Sequence, residues 1–200
     1  PEKVNIVEIC NGQGLYSFVL YDLFMNLLNI QVDYQVYETD ENLIKFYNNI
    51  ADKSNFTRLN FTKGDFESVD LTNVDIAIGL FTEDTLTDKL INNAVKNNVK
   101  VILSAPLKDE FMAKHMDTSE KWNGLLKSDI LQRKQAAILT NGIRSLLLES
   151  RGYKNDVTKF VVPEYPQHDL IITALHNENK SSDSGILKQI DQIKKHFGIN

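Results

Sequence analysis

Strand-like and helix-like segments alternate along the first 151 residues of this chain. Five short runs rich in β-branched residues predict strands, at Val4–Cys10, Val32–Glu38, Phe56–Phe61, Val74–Phe81 and Val99–Ala105. The spacing of apolar residues predicts helices over Ser17–Leu28, Glu41–Asp52, Thr85–Asn97 and Ser128–Arg151. The first of these helices is apolar on nearly every side, which favours a buried helix, and Gly142 is a candidate break in the last. Repeated strand–helix units predict a parallel sheet with right-handed crossovers.

The final part of the chain departs from this alternation. Thr158–Val162 and Asp169–His176 predict two strands separated only by Pro163–His168, and six residues cannot hold a crossover helix. The two strands are therefore predicted to form an antiparallel hairpin. The predicted fold is α/β, a Rossmann-like doubly wound, mostly parallel sheet that ends in an antiparallel β-hairpin. One domain is predicted over residues 1–176, followed over 177–200 by a polar linker and a C-terminal helix at Ile186–Phe197.

Composition limits the class of protein further. Of the 200 residues, 42% are hydrophobic and 24% are charged, as in an ordinary globular protein. The net charge of -5 argues against binding of nucleic acid by bulk electrostatics alone. The single cysteine, Cys10, excludes an internal disulfide and a cysteine-rich zinc site. No apolar run is long enough for a membrane span, and Pro1-Glu2-Lys3 does not open a secretory signal, so a cytoplasmic protein, or a domain cut from a longer chain, is expected.

Three features fall where the predicted parallel strands end, which is the edge at which open α/β sheets bind ligands. Glu8 opens the first, a turn that carries Gly12 and Gly14. Glu38 closes the second strand, where a carboxylate can accept hydrogen bonds from both ribose hydroxyls of a nucleoside. The third is Gly64-Asp65-Phe66, an acid and an aromatic ring suited to adenine. Each could be an ordinary turn, and Glu38 could be a solvated helix-capping acid, but together they favour a nucleoside-containing ligand.

The glycine turn and the hairpin distinguish between two candidate cofactors that contain a nucleoside. A nicotinamide dinucleotide favours a third glycine or alanine, so that the helix N-terminus can receive a pyrophosphate. Ser17 stands at that position here. S-adenosyl-L-methionine carries no phosphate and is the usual ligand of sheets that end in a β-hairpin. The sequence therefore favours S-adenosyl-L-methionine as the cofactor.

Longer blocks of the chain resemble the class I S-adenosylmethionine-dependent methyltransferases. They read VEICNGQGLYSFVLYDLF at 7–24, YETDENLIKFYNNIA at 37–51, FTKGDFESVDLTNVDIAIGLFTEDTLTD at 61–88, KVILSAP at 100–106 and LQRKQAAILTNGIRSLLLESRGYKNDVTKFV at 131–161. Within that superfamily the chain is most similar to a methyltransferase-domain family that carries DTLTD-like and RKQAAILTNGIRSLLLE-like blocks.

The resemblance implies a role for each matching residue. The implied cofactor-binding residues are Glu8, Gly12, Gly14, Glu38, Asp65, Phe66 and Gly79. The first three would lie beside the methionine part of the cofactor, Glu38 at the ribose and the next two at the adenine. The last, Gly79, would lie where the fourth strand ends under the transferred methyl group.

Two segments depart from the pattern of the relatives. Phe81-Thr82-Glu83 stands where they often have His-Ala-Cys, and Leu107-Lys108-Asp109 replaces a stretch with two cysteines and a histidine. No Asn-Pro-Pro-Tyr or Asp-Pro-Pro-Tyr follows the fourth strand, which argues against methylation of an exocyclic adenine nitrogen or a glutamine amide. Asp84, in the block that best matches the family, is the first candidate for a catalytic base, although it could instead cap the following helix. Glu83, Asp109 and His115 rank behind it.

The expected function is S-adenosylmethionine-dependent methyl transfer to an acceptor that the sequence does not identify. The resemblance suggests RNA, and a protein acceptor is left open; no membrane contact and no stable metal are expected. The alternative is a methyltransferase-fold domain that binds partners without catalysis, motivated by the altered segments at 81–83 and 107–109. A nicotinamide-dependent oxidoreductase ranks third, to be revived only by a structure that lacks the terminal hairpin.

Overall fold

The structure, a computed structural model, describes residues 3–10, 14–64, 69–106, 112–113, 124, 126–159, 170–177 and 183–199. The chain consists of two compact units, Pro1–Pro106 and Leu107–Asn200. In these described ranges, no helix is both long and apolar enough to cross a membrane.

The first unit is built on a parallel sheet. Its strands are β1 (Val4–Ile9), β2 (Val32–Glu38), β3 (Leu59–Lys63), β4 (Ile76–Thr82) and β5 (Val101–Pro106). The α-helices among its described residues are α1 (Leu15–Asp22), α2 (Glu41–Lys53) and α3 (Asp84–Lys96). The strands lie in the order β3-β2-β1-β4-β5, and each neighbouring pair is parallel.

The direction in which the sheet grows reverses between β1 and β4. The chain moves from β1 through β2 to β3 on one side, and from β4 to β5 on the other. Because crossovers of parallel strands are right-handed, α1 and α2 lie on one face of the sheet and α3 lies on the opposite face. Phe18 of α1 and Tyr47 of α2 both pack on Phe61 of β3, with ring centroids 5.6 and 5.1 Å away. The doubly wound arrangement therefore puts a ligand-binding edge where β1 and β4 end.

The first helix differs from the sequence prediction. α1 ends at Asp22 and continues as a π-helical turn over Leu23–Leu27. The expectation of a buried helix over Ser17–Leu28 holds on one side only, because Tyr21 is buried while Val19 is 60% exposed and Leu27 is 75% exposed. A helix on the outer face of a sheet can bury only one side, so high apolar content did not translate into burial.

The third strand begins later than the sequence predicts. Asn55 has a φ of 57°, a left-handed conformation that turns the chain after α2. Phe56 then packs against Tyr21 of α1, with ring centroids 4.7 Å apart, and the ladder with β2 starts only at Leu59. Phe56 is therefore apolar because it packs against a helix, and it does not belong to the strand.

The second unit contains a long helix, a hairpin and a short helix. α4 runs unbroken over Asp129–Ser150, so Gly142 does not divide it, and Gly152 follows with a φ of 87° as a helix stop. β6 (Tyr153–Lys159) and β7 (Leu170–His176) are antiparallel. The predicted sixth strand therefore begins five residues too late, and its last residues, with the connection at 163–168, lie outside the described residues. α5 (Ser184–His196) packs against α4.

The predicted fold class is confirmed. The first unit supplies the parallel, doubly wound strands, and the second supplies the antiparallel hairpin. Because the terminal hairpin is present, the condition that would revive a nicotinamide-dependent oxidoreductase is not met.

Candidate functional site

The carboxyl edge of the first unit brings together several residues that the sequence singles out. Glu8 and Glu38 lie near the ends of neighbouring strands, since the β1–β2 register pairs Glu8 with Val36. Gly14 opens α1, and Gly79 lies in β4 opposite Ile9. The other predicted site residues, Gly12, Asp65 and Phe66, lie outside the described residues, as do Asp109 and His115.

Glu38 is the most constrained of these side chains. It is only 3% exposed. Its Oε1 accepts hydrogen bonds from the backbone N–H groups of Thr39 at 2.7 Å and Asp40 at 3.1 Å, and from the Thr39 hydroxyl at 3.2 Å. These donors hold the carboxylate in one orientation at the end of β2.

Glu38 does not cap the following helix. Asp40 does so, because its Oδ1 accepts hydrogen bonds from the backbone N–H groups of Asn42 at 2.7 Å and Leu43 at 3.3 Å. The interpretation of Glu38 as a solvated capping acid is therefore wrong. A buried acid that serves no cap, at the edge where α/β sheets bind ligands, is suited to receive hydroxyl donors from a ligand.

Glu8 is a buried acid of a different kind. It is 2% exposed, and its Oε2 accepts hydrogen bonds from the hydroxyls of Tyr34 at 2.6 Å and Ser17 at 2.7 Å. Burial raises the pKa of Glu8 to about 7, although the two hydroxyl donors act in the opposite direction. Burial and the neighbouring Glu8 raise the pKa of Tyr34 well above its ordinary value, so Tyr34 stays protonated and donates. Glu8 thus ties β1 to β2 and to the start of α1.

Gly14 is glycine because of a close neighbour and not because of its backbone angles. Its φ of -57° and ψ of -7° are open to any residue. A Cβ at this position would lie 2.6 Å from Cε2 and 2.8 Å from Cδ2 of Tyr47, inside the contact distance of carbon atoms. Gly14 therefore lies directly on the ring of a tyrosine from α2.

Gly79 also lies too close to a neighbouring side chain to admit a larger residue. A Cβ there would lie 2.5 Å from Cδ2 of Leu90 on α3. Parallel strands place side chains of paired residues on the same face. Gly79 therefore points toward α3, away from the face of the sheet that carries Glu8 and Glu38.

Replacing Gly79 by alanine is expected to lower the free energy of unfolding by about 1–2 kcal/mol, because Leu90 must move to admit the methyl group. Urea unfolding measures the loss. The matched control is Gly142→Ala on α4, where nothing lies within 4 Å of the added Cβ; it is expected to stabilise by roughly 0.5–1 kcal/mol. Equal stability of Gly79→Ala and the unmodified protein would contradict the close contact with Leu90.

The end of β4 has an unusual backbone. Phe81 has a φ of 58°, a left-handed conformation that is an outlier for a bulky residue, and the pairing with β5 shifts register between Leu80 and Thr82. The Phe81 ring is buried and lies 5.4 Å from the ring of Tyr16 on α1. The hydroxyls of Thr82 and Thr87 lie 2.7 Å apart, which ties the strand end to the first turn of α3.

Asp84, the predicted base, is the first residue of α3, and its side chain lies outside the described part of the structure. The N-cap position belongs to Glu83, whose side chain makes no capping hydrogen bond. The alternative prediction, that Asp84 caps a helix beginning at Thr85, is therefore wrong. Asp84 remains a prediction as the base.

Sequence reasoning did not find three contributors to this edge. Tyr47 lies on the helical stretch after Glu38, and nothing in its spacing indicates a contact with Gly14. Tyr34 and Ser17 donate the hydrogen bonds to Glu8, and the sequence placed them only on a strand and a helix. The left-handed backbone of Phe81 leaves no signal in a sequence either, because phenylalanine is not a residue that favours it.

The chain shares its first half with a known family and its fold with solved structures. A family model described as a methyltransferase domain matches residues 1–107. No curated protein matches the sequence significantly.

Three solved structures illustrate the likeness of fold. The 23S rRNA methyltransferase ErmE has a TM-score of 0.59 and 12% identity, over 96% of this chain and 69% of that one. A S-adenosylmethionine-dependent methyltransferase from Aquifex aeolicus has a TM-score of 0.52 and 15% identity, over 87% of this chain and 82% of that one. The CMeT domain of the citrinin polyketide synthase has a TM-score of 0.54 and 20% identity, over 88% of this chain and 47% of that one.

Proposed function

Because this chain belongs to a methyltransferase domain family, we propose that it binds S-adenosyl-L-methionine and transfers the methyl group to an acceptor. The observation that carries the proposal is Glu38. Its carboxylate is buried at the end of β2, held by two backbone N–H groups and not used as a helix cap. An acid so placed can accept hydrogen bonds from both hydroxyls of a ribose.

The residues present fit the chemistry of this cofactor. Glu38 would hold the ribose, Gly14 would let the turn approach the methionine part, and Glu8 would support the turn from below. The predicted roles of Gly12, Asp65 and Phe66 complete the proposed site. S-adenosylmethionine, when bound, supplies a methyl group already activated by a positive sulfur, so the chain mainly has to bind it and align the acceptor.

We propose RNA as the first class of acceptor to test. The support is the resemblance of the sequence blocks and the likeness of fold to an rRNA methyltransferase. The net charge of -5 means that such a surface would have to be local and not spread over the whole chain. Protein acceptors are the second class to test.

The second candidate is a methyltransferase-fold domain that binds partners without catalysis. The end of β4 favours it, because Phe81 carries no group that can accept a proton and the Thr82 hydroxyl is paired with Thr87. In this case a pocket for the cofactor could remain while methyl transfer is lost. The two candidate functions differ in the role of Asp84, which acts as a base only if methyl transfer is retained.

Calorimetric titration with S-adenosylmethionine and with S-adenosylhomocysteine tests the proposal. We expect saturable binding of both in the micromolar range and no binding of NAD, which serves as the control for nucleotide binding in general. Tritium from the labelled methyl group should then appear in RNA when RNA is added. A folded protein that binds neither ligand would overturn the proposed cofactor and favour the non-catalytic alternative.

A further inference from the structure

Tyr47 contacts Gly14 in two ways. Its ring lies so close to Gly14 that a Cβ at position 14 would be 2.6–2.9 Å from three ring carbons. Its hydroxyl is hydrogen-bonded to the backbone of Gly14, a contact that favours the ionised phenol and therefore comes from a backbone N–H donor. The face of the ring limits how closely Gly14 can approach α2, and the hydroxyl contact limits how far Gly14 can lie from it.

The position of Tyr47 is itself fixed by its surroundings. Its ring stacks on Phe61 of β3 at 5.1 Å and lies 6.1 Å from Phe18 of α1. The next residue, Asn48, exchanges two hydrogen bonds with the backbone of Phe61, at 2.7 Å from Nδ2 to the carbonyl and 2.9 Å from the N–H to Oδ1. α2 therefore cannot slide along β3 without breaking both bonds, and Tyr47 offers Gly14 a rigid support.

We propose that Tyr47 is a positioning residue, which sets the place of Gly14 at the start of α1 so that the Gly14 backbone fits the methionine part of the cofactor. This rests on the proposed function. Tyr47 acts through Gly14 and needs no contact with the ligand. Loss of the support should therefore weaken ligands that have the amino acid part more than ligands that have only the nucleoside.

Tyr47→Phe tests the hydroxyl contact alone, because it keeps the ring. The affinity for S-adenosylhomocysteine is expected to fall about fivefold, as for loss of one hydrogen bond. The affinity for 5′-methylthioadenosine, which has the adenine and ribose but no amino acid part, is expected to stay within about twofold. The readout is thus the ratio of the two affinities, which a general loss of stability would leave unchanged.

Tyr21→Phe is the matched control. Tyr21 lies on α1 in the same aromatic cluster, and its hydroxyl accepts a hydrogen bond from the backbone N–H of Arg58 at 3.3 Å. The variant removes the same chemical group and the same type of bond, away from the glycine turn. It is expected to leave the ratio of affinities unchanged.

The ring contact is tested by coupling between positions 14 and 47. Gly14→Ala is expected to weaken S-adenosylhomocysteine about tenfold in the unmodified protein, because the added methyl group forces the turn off the ring. In a Tyr47→Leu background the ring is absent, so the same change is expected to cost less than about twofold.

Equal costs of Gly14→Ala in both backgrounds, or an unchanged ratio of affinities in Tyr47→Phe, would overturn the inference while the proposed function stands. If the unmodified protein binds neither S-adenosylmethionine nor S-adenosylhomocysteine, the proposed function fails and this inference fails with it.

Discussion

Glu38→Ala is expected to lower the affinity for S-adenosylmethionine by about a hundredfold, because two hydrogen bonds between a carboxylate and ribose hydroxyls are lost together. The residue is buried, and its Oε1 accepts hydrogen bonds from the N–H groups of Thr39 and Asp40 and from the Thr39 hydroxyl. Glu38→Gln keeps an oxygen for those donors but replaces the other oxygen by an NH2 group. It is expected to lose about tenfold, between the alanine variant and the unmodified protein.

Calorimetric titration of both variants measures this effect, with thermal unfolding run in parallel to confirm that each is folded. Glu41→Gln is the control, because Glu41 is an exposed acid three positions away that pairs with Lys63. It loses the same charge and should bind as the unmodified protein does. If Glu38→Ala bound S-adenosylmethionine as tightly as the control, the ribose site would be wrongly placed.

The second large effect concerns the dependence of stability on pH. Below about pH 4.5 the Glu8 carboxyl is protonated in both the folded and the unfolded chain. As the pH rises toward 7, the unfolded chain loses this proton while the folded protein keeps it, so the folded state becomes less stable. Well above pH 7 the Glu8 carboxyl is ionised in both the folded and the unfolded chain, and the loss of stability is complete. Glu8 is expected to lower the free energy of unfolding by roughly 3 kcal/mol across this range.

Glu8→Gln is expected to remove this decline, because the amide oxygen still accepts from Tyr34 and Ser17 but carries no charge to bury. Urea unfolding at pH 4.5 and at pH 8 measures the difference for each protein. Glu41→Gln removes an exposed acid and is expected to retain the decline. A Glu8→Gln variant that lost as much stability as the unmodified protein between these two pH values would contradict the assignment.

The sequence predicted the parts of this molecule that depend on local pattern. β2 begins and ends at the predicted residues, because its alternation of apolar and polar side chains spans the whole strand. The position of Glu38 at the end of that strand followed directly. The hairpin followed from the short spacing between two strands, and Gly152 from its place after a long helix.

The remaining features depend on contacts between residues far apart in the chain. Whether Glu8 is charged depends on burial beneath α1 and on Tyr34, which is 26 residues away. The resemblance assigned Gly79 to the cofactor site, and nothing in the sequence indicated its close neighbour, Leu90. Tyr47 looked like an ordinary helix residue until the packing of α2 on β3 brought it to Gly14. Such relations are set by tertiary packing, on which a local pattern carries no information.

Residues with a left-handed backbone also reveal a regularity of the first unit that its sequence hides. Asparagine takes a positive φ three or four residues ahead of each strand from β2 to β5, at Asn29, Asn55, Asn73 and Asn98. All four lie at the amino edge of the sheet, and asparagine tolerates this conformation better than most residues. The connections that lead into β2, β3, β4 and β5 therefore share one type of bend, although the chain has no repeated sequence. Among the described residues of this unit, the opposite edge holds one such conformation outside glycine, at Phe81. The amino edge repeats one backbone conformation, and the outlier Phe81 lies at the edge that carries the candidate site.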